Sequence, residues 1–236
     1  MIFYFIRHGN PIYNPDSLTE LGKKQAESLA KRLAIYGLDK IYVSTSNRAI
    51  MTAQPTCDLL KMDMELLDFC NESYAWESLT TKTDYGMDWI FRAPRTLELF
   101  TSPEVIKMGF EWYNHPELSE YKNGIERIYD ESDKLFVSLG YEHERYTGRY
   151  KAVKPNDEKV ALFAHAGFGL AFLSCVLDIP YSLLATRFDL GHSSMTVIDF
   201  DWYKSNFIVP KVRAWSSDSH LYREGIPATY DTKIKF

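Results

Sequence analysis

With 236 residues, of which 45% are hydrophobic and 25% charged, the chain has the composition of an ordinary globular protein, with room for one sizeable domain and an insertion. A formal net charge of −5 gives no electrostatic footprint for nucleic acid or an anionic membrane, since such binders neutralise phosphates with clustered Lys and Arg. Cys57, Cys70 and Cys175 are odd in number and widely spaced, so neither a disulfide framework nor a zinc site is expected, and a reducing cytoplasmic setting fits.

The chain opens on the apolar run Ile2 to Ile6, followed at once by Arg7, His8 and Gly9. The run is too short for a signal peptide and has no preceding positive charge, so it reads as a buried strand. No stretch approaches the roughly 20 apolar residues that span a bilayer. Asn10 to Asp16 is turn-rich, and Ser17 or Thr19 can cap a helix that carries Leu21, Ala26, Leu29, Ala30 and Leu33 on one face and stops at Gly37. Ile41 to Val43 reads as a buried parallel strand leading into a helix that contains Arg48, and Glu65 to Phe69 as a further strand.

The stretch 73–155 reads differently. Pro94, Pro103 and Pro116 punctuate it, and one amphipathic helix is expected over Asn123 to Leu139, with Ile125, Ile128, Leu135 and Leu139 inward. Its aromatics, among them Trp76, Trp89, Phe91 and Trp112, either build a small core of their own or form a lid over a site. His115 and His143, in the same stretch, are expected at the surface. Lys159 to Ala164 then reads as a strand feeding a helix, Phe168 to Leu177, that Pro180 terminates. Ser194 to Asp201 and Phe207 to Trp215 are expected to pair through a turn around Lys204. Strands alternating with helices predict an α/β fold: a three-layer sandwich with a mainly parallel sheet flanked by helices, and an inserted mostly helical cap. Ligands of such sheets sit beyond the carboxyl ends of the strands.

At such an end lie Arg7 and His8. A guanidinium supplies planar donors suited to phosphate oxygens, an imidazole can attack phosphorus, and glycine lets the backbone turn closely around an anion. Further fragments follow: Asn14, six residues after His8; Leu18 to Ala26; Ser44-Thr45-Ser46-Asn47-Arg48-Ala49; and Phe163-Ala164-His165-Ala166-Gly167. In order and spacing they resemble the histidine phosphatase superfamily, in its phosphoglycerate mutase-like branch. The similarity is dense up to about Glu77 and resumes at about Lys159; the stretch between resembles nothing identifiable.

The resemblance implies one domain over 1–236, with 73–155 inserted as a cap, and a phosphohistidine mechanism. His8 is then the nucleophile, with Arg7, Arg48 and His165 as donors to the phosphoryl oxygens and Asn14 and Ala166 as further phosphate contacts. Glu72 matches the family's proton donor, with Glu77 as its competitor. Asn10-Pro11 stands where relatives commonly carry an acidic residue and Thr or Ser. His192 and His220 read as structural.

The expected activity is metal-independent hydrolysis of a small phosphorylated metabolite, with no cofactor, nucleic acid or membrane as partner. A phosphoglycerate mutase-type phosphotransferase is the first alternative, since Lys82, Arg92 and Arg95 lie in the insertion, although without the mutase pattern. A non-catalytic binding protein on the same scaffold is the second, and the intact Arg7, His8, Arg48 and His165 argue against it. There is no Gly-rich Lys-Ser/Thr loop to support a nucleotide triphosphatase.

Overall fold

The computed structural model describes residues 1–203 and 205–231. Its centre is a six-stranded sheet built from β1 (Ile2–Arg7), β2 (Lys40–Ser44), β3 (Glu65–Leu67), β4 (Lys159–Ala164), β5 (Met195–Asp199) and β6 (Lys211–Ser217), in the spatial order β6-β5-β1-β4-β2-β3. β1, β4, β2 and β3 run parallel, and β5 and β6 complete one edge antiparallel.

The apolar runs need no alternation with polar residues because the sheet is covered on both faces. Successive side chains of a strand point to opposite sides. Phe3 and Phe5 of β1, with Val160 and Leu162 of β4, therefore enter one core, while Tyr4, Ile6, Ala161 and Phe163 enter the other. The second core is closed by Leu29 and Leu33 of α1 (Glu20–Tyr36) and by Ala49, Ala53 and Cys57 of α2 (Asn47–Leu60). Thr19 caps α1 by accepting from the Gly22 N–H, and Gly37 ends it at φ 71°, a left-handed position that glycine adopts without steric cost.

The first core is closed by α4 (Lys122–Ser138) and α5 (Ala166–Leu177). Ile125, Ile128, Leu135 and Leu139 are buried, and the Phe136 ring lies 5.2 Å from that of Phe3 on β1. The helix of the 73–155 stretch is thus a layer of the sandwich. The aromatics of that stretch divide between the interior and a cleft. Trp112 packs with Phe100 and Tyr181 as part of the first core and not in a core of the stretch's own, while Trp76, Trp89 and Phe91 line a cleft. Between α3 (Glu72–Ser78) and α4 run the hairpin Thr80–Thr83/Gly86–Trp89 and the short helices Pro94–Phe100 and Pro103–Met108.

Some expectations need correction. The strand at Glu65 ends at Leu67, because Asp68–Cys70 turns into a 3₁₀ segment that leads to α3. α5 ends at Leu177 with Asp178 left-handed, ahead of Pro180, which starts the next short helix. Lys211–Ser217 pairs with β5 as expected, but Phe207–Ile208 leaves that ribbon to pair with Arg149–Ala152; Lys204, in the expected turn, lies outside the described residues. His115 is half-buried and accepts from the Glu117 N–H. The side chain of His143 is not a surface group. It has no solvent exposure and lies 2.8 Å from Asp133 and 3.2 Å from Asp178, with its ring stacked on Tyr150. Its strand, Tyr141–Glu144, folds back on α4 and brings the imidazole between two carboxylates that local sequence does not place beside it. Among the described residues no helix is long and apolar enough to cross a membrane.

Candidate active site

The register of β1 against β4 pairs Arg7 with Ala164, and the His8 N–H donates to the Ala164 carbonyl at 2.9 Å. Two histidines are thereby brought side by side at the carboxyl ends of adjacent strands: the rings of His8 and His165 lie 5.1 Å apart. Arg48 reaches them from the first turn of α2, and Glu72 from the start of α3.

Hydrogen bonding settles the His8 tautomer. Nδ1 lies 2.7 Å from the Gly9 carbonyl, which can only accept, so Nδ1 carries the proton and Nε2 keeps its lone pair. That lone pair accepts from Arg48 Nε at 3.3 Å. At His165, Nε2 lies 2.8 Å from the Ser44 hydroxyl, which also accepts from the Ser46 N–H at 3.4 Å. Nδ1 of His165 faces Glu72 Oε2 at 3.5 Å.

Burial drives the His8 pKa well below the usual range, reinforced by His165, Arg7 and Arg48; burial, Arg48 and Arg7 do the same to His165. Both imidazoles are therefore neutral. Glu72 sits between opposing influences: burial raises its pKa, against Arg48, Arg7 and the Gly167 N–H, which donates to Oε1 at 2.9 Å, and burial prevails. A carboxyl shifted upward in this way keeps its proton to a higher pH than a free one.

The cations are held as firmly as the histidines. Arg48 pairs with Asp16 at 2.8 Å and Glu72 at 3.1 Å, and these carboxylates outweigh burial and hold its guanidinium charged. Arg7 is only 1% exposed; it donates to the Leu190 carbonyl and to Asp231, and contacts His192 Nε2 at 2.9 Å. Arg7, Arg48 and Glu72 line a cleft of about 1210 Å³, with His8 and His165 behind that surface. The donor atoms of His8, Glu72 and His165 lie close enough to hold a metal ion, but the Arg48 guanidinium already faces two of the three. Asp133, His143 and Cys175 form a second such trio, in which Arg145 already occupies Asp133.

Residues 3–98 match the family model of the histidine phosphatase superfamily (branch 1). Solved structures extend the likeness over the whole sandwich. A phosphoserine phosphatase from Entamoeba histolytica, crystallised with 3-phosphoglyceric acid, is 17% identical and superposes with a TM-score of 0.60 over 93% of this chain and 98% of that one. The chain has the histidine phosphatase fold. A mycobacterial glucosyl-3-phosphoglycerate phosphatase (18% identity, TM-score 0.59, 92% and 98% covered) and an α-ribazole phosphatase from Shigella flexneri (16%, 0.58, 92% and 97%) share it. No curated protein sequence matches.

Of the residues expected at the site of this histidine phosphatase fold, the structure brings together Arg7, His8, Arg48, Glu72 and His165, and Ala166 lines the cleft beside them. Glu77 is exposed and outside the lining. Asn14 is not brought to them. It is exposed in the turn between Pro11–Tyr13 and Asp16–Leu18 and does not line the cleft, because the hairpin closes at Asn14-Pro15 and points Tyr13 and Asp16 inward instead. Asp16, Ser44 and Asp231 were not anticipated, and His192, read as structural, touches Arg7. The one signal for His192 is the run Gly191-His192-Ser193-Ser194 just before a strand that returns to the site. The carboxylates carry no local signature.

Proposed function

We propose that the chain is a metal-independent phosphatase that hydrolyses a small phosphomonoester through a phosphohistidine on His8. The observation that carries this reading is the His8 Nε2 lone pair, held neutral among two guanidiniums and His165, with the Glu72 carboxyl alongside. The phosphatase names of the structural neighbours support it.

In the first step Nε2 attacks phosphorus, the bond from phosphorus to the ester oxygen breaks, and Glu72 passes its proton to the departing alkoxide. Arg48 turns from His8 Nε2, Asp16 and Glu72 to the phosphoryl oxygens, which frees the lone pair for attack, Arg7 does so from Asp231, and His165 adds a neutral imidazole beside them. In the second step Glu72 takes a proton from water, whose oxygen bonds to phosphorus as the P–Nε2 bond breaks. The guanidiniums supply the positive charge that a metal would otherwise provide. We assign these steps to one domain spanning 1–236, in which the hairpin Thr80–Trp89 and the helix after it act as the cap.

The test is turnover of phosphorylated sugars, nucleotides, glycolytic acids and phospho-cofactors in excess chelator, with a quench in alkaline detergent to trap labelled protein. Turnover with acid-labile label is the expected result. Activity that vanishes with chelator and returns with a divalent metal would refute the mechanism.

A further inference from the structure

The cleft is far larger than a phosphoryl group, and its remaining walls have a definite chemistry. One wall is aromatic and begins at the reacting centre: a Cβ on Gly167 would meet the Trp89 indole at 2.3 Å, and it is the Gly167 N–H that binds Glu72. Trp76 stands edge-on to Trp89 at 5.1 Å, and Phe91 stacks on Trp89 at 5.8 Å. Trp76 keeps 38% of its surface exposed, so the wall presents aromatic area to whatever enters.

The charged lining is unevenly committed. Asp16 and Asp231 are engaged by Arg48 and Arg7, and the Asp189 carboxylate accepts the Leu190 N–H. Arg92 is bound to Asp88. Arg187 differs. It donates to the Leu183 carbonyl and the Thr186 hydroxyl, and has no carboxylate partner among the described residues. A bound group therefore meets the exposed part of Trp76, backed by the half-buried Phe91 and the buried Trp89, and an arginine that has no carboxylate partner among the described residues.

Resting on the phosphatase reading, we propose that the leaving group of the substrate carries an aromatic ring and a second negative charge. The ring lies along Trp76, Trp89 and Phe91, and the charge reaches Arg187. Ring against ring excludes water from both apolar faces in an offset or edge-on geometry, and a guanidinium favours a carboxylate or a second phosphate over a neutral or cationic substituent.

Three monoesters whose alkoxides leave equally badly test this: propyl phosphate, 2-phenylethyl phosphate and 2-(4-carboxyphenyl)ethyl phosphate. We expect kcat/KM to rise about tenfold from the first to the second and about fivefold again to the third. Trp76→Ala should shrink the first ratio and Arg187→Ala the second. Both side chains are partly exposed, and the wild-type comparison needs no variant. Equal kcat/KM for propyl and phenylethyl esters, or ratios unmoved by the variants, would overturn the proposal while leaving the phosphatase reading in place. Absence of turnover and of protein labelling with all three would overturn both.

Discussion

His8 and His143 are both enclosed imidazoles, and their pKa values are driven in opposite directions. Burial acts the same way on each, disfavouring the cation. At His8 the neighbours are His165, Arg7 and Arg48, which push further in that direction. At His143 the neighbours are Asp133 and Asp178, whose hydrogen bonds and charges outweigh burial and raise the pKa. Enclosure raises the cost of a wrong charge, and the partners decide which charge is right. A neutral ring with a lone pair on Nε2 is equipped to react; a ring held between two carboxylates ties α4, the 141–144 strand and the end of α5 together.

The largest effect should come from removing the reactive ring. His8→Ala is expected to lower turnover by about 10⁴-fold or more and to abolish phosphoryl labelling, while Cys57→Ser keeps the label. Label on the His8 variant would place the nucleophile elsewhere.

Next is the proton that Glu72 supplies. Glu72→Gln should slow an alkyl phosphate about 10²- to 10³-fold, and p-nitrophenyl phosphate much less in the first step, because a nitrophenolate departs without help. With the nitrophenyl ester, stopped-flow should show a burst and then slow turnover as phosphohistidine accumulates. Glu77→Gln should show neither change; an exchange of behaviour between the two variants would move the acid to Glu77.

The contrasting histidine should act on stability instead. Since the folded-state pKa of His143 is raised, its stabilisation is complete below the unfolded value near pH 6.5 and fades as pH climbs through the folded value. His143→Ala should therefore cost about 3 kcal/mol in urea unfolding at pH 6 and clearly less at pH 9. A loss equal at both pH values would mean that the ring contributes packing and not charge. The smallest effect is expected at Asn14, where Ala should change kcat/KM less than about twofold, as for other exposed side chains without partners; a larger loss would return Asn14 to the site.

His8 and His143 were not equally legible. Arg7-His8-Gly9 after an apolar run, Arg48 beyond a short strand, and His165 after another each sit inside consecutive residues whose periodicity and caps announce a strand end or a helix start. His143 lies in a four-residue strand with no such pattern. The Trp76 to Phe91 aromatics could not be divided from Trp112 for the same reason, since hydrophobicity alone does not say which neighbour a ring will find.

The amino-acid sequence by itself determined the parallel α/β layering, the helix that follows a cap at Ser17 or Thr19 and stops at Gly37, and the chain order of the reactive residues, because strand and helix periodicity is written in adjacent side chains. Only the tertiary structure decided the ion-pair partners, Asp16 on Arg48, Asp231 on Arg7, and Asp133 with Asp178 around His143. The Arg7 pair spans 224 residues of chain, and such a contact exists only once sheet register and loop paths are fixed by packing. Charge states in the interior depend on those partners, so they too emerge only in the folded molecule.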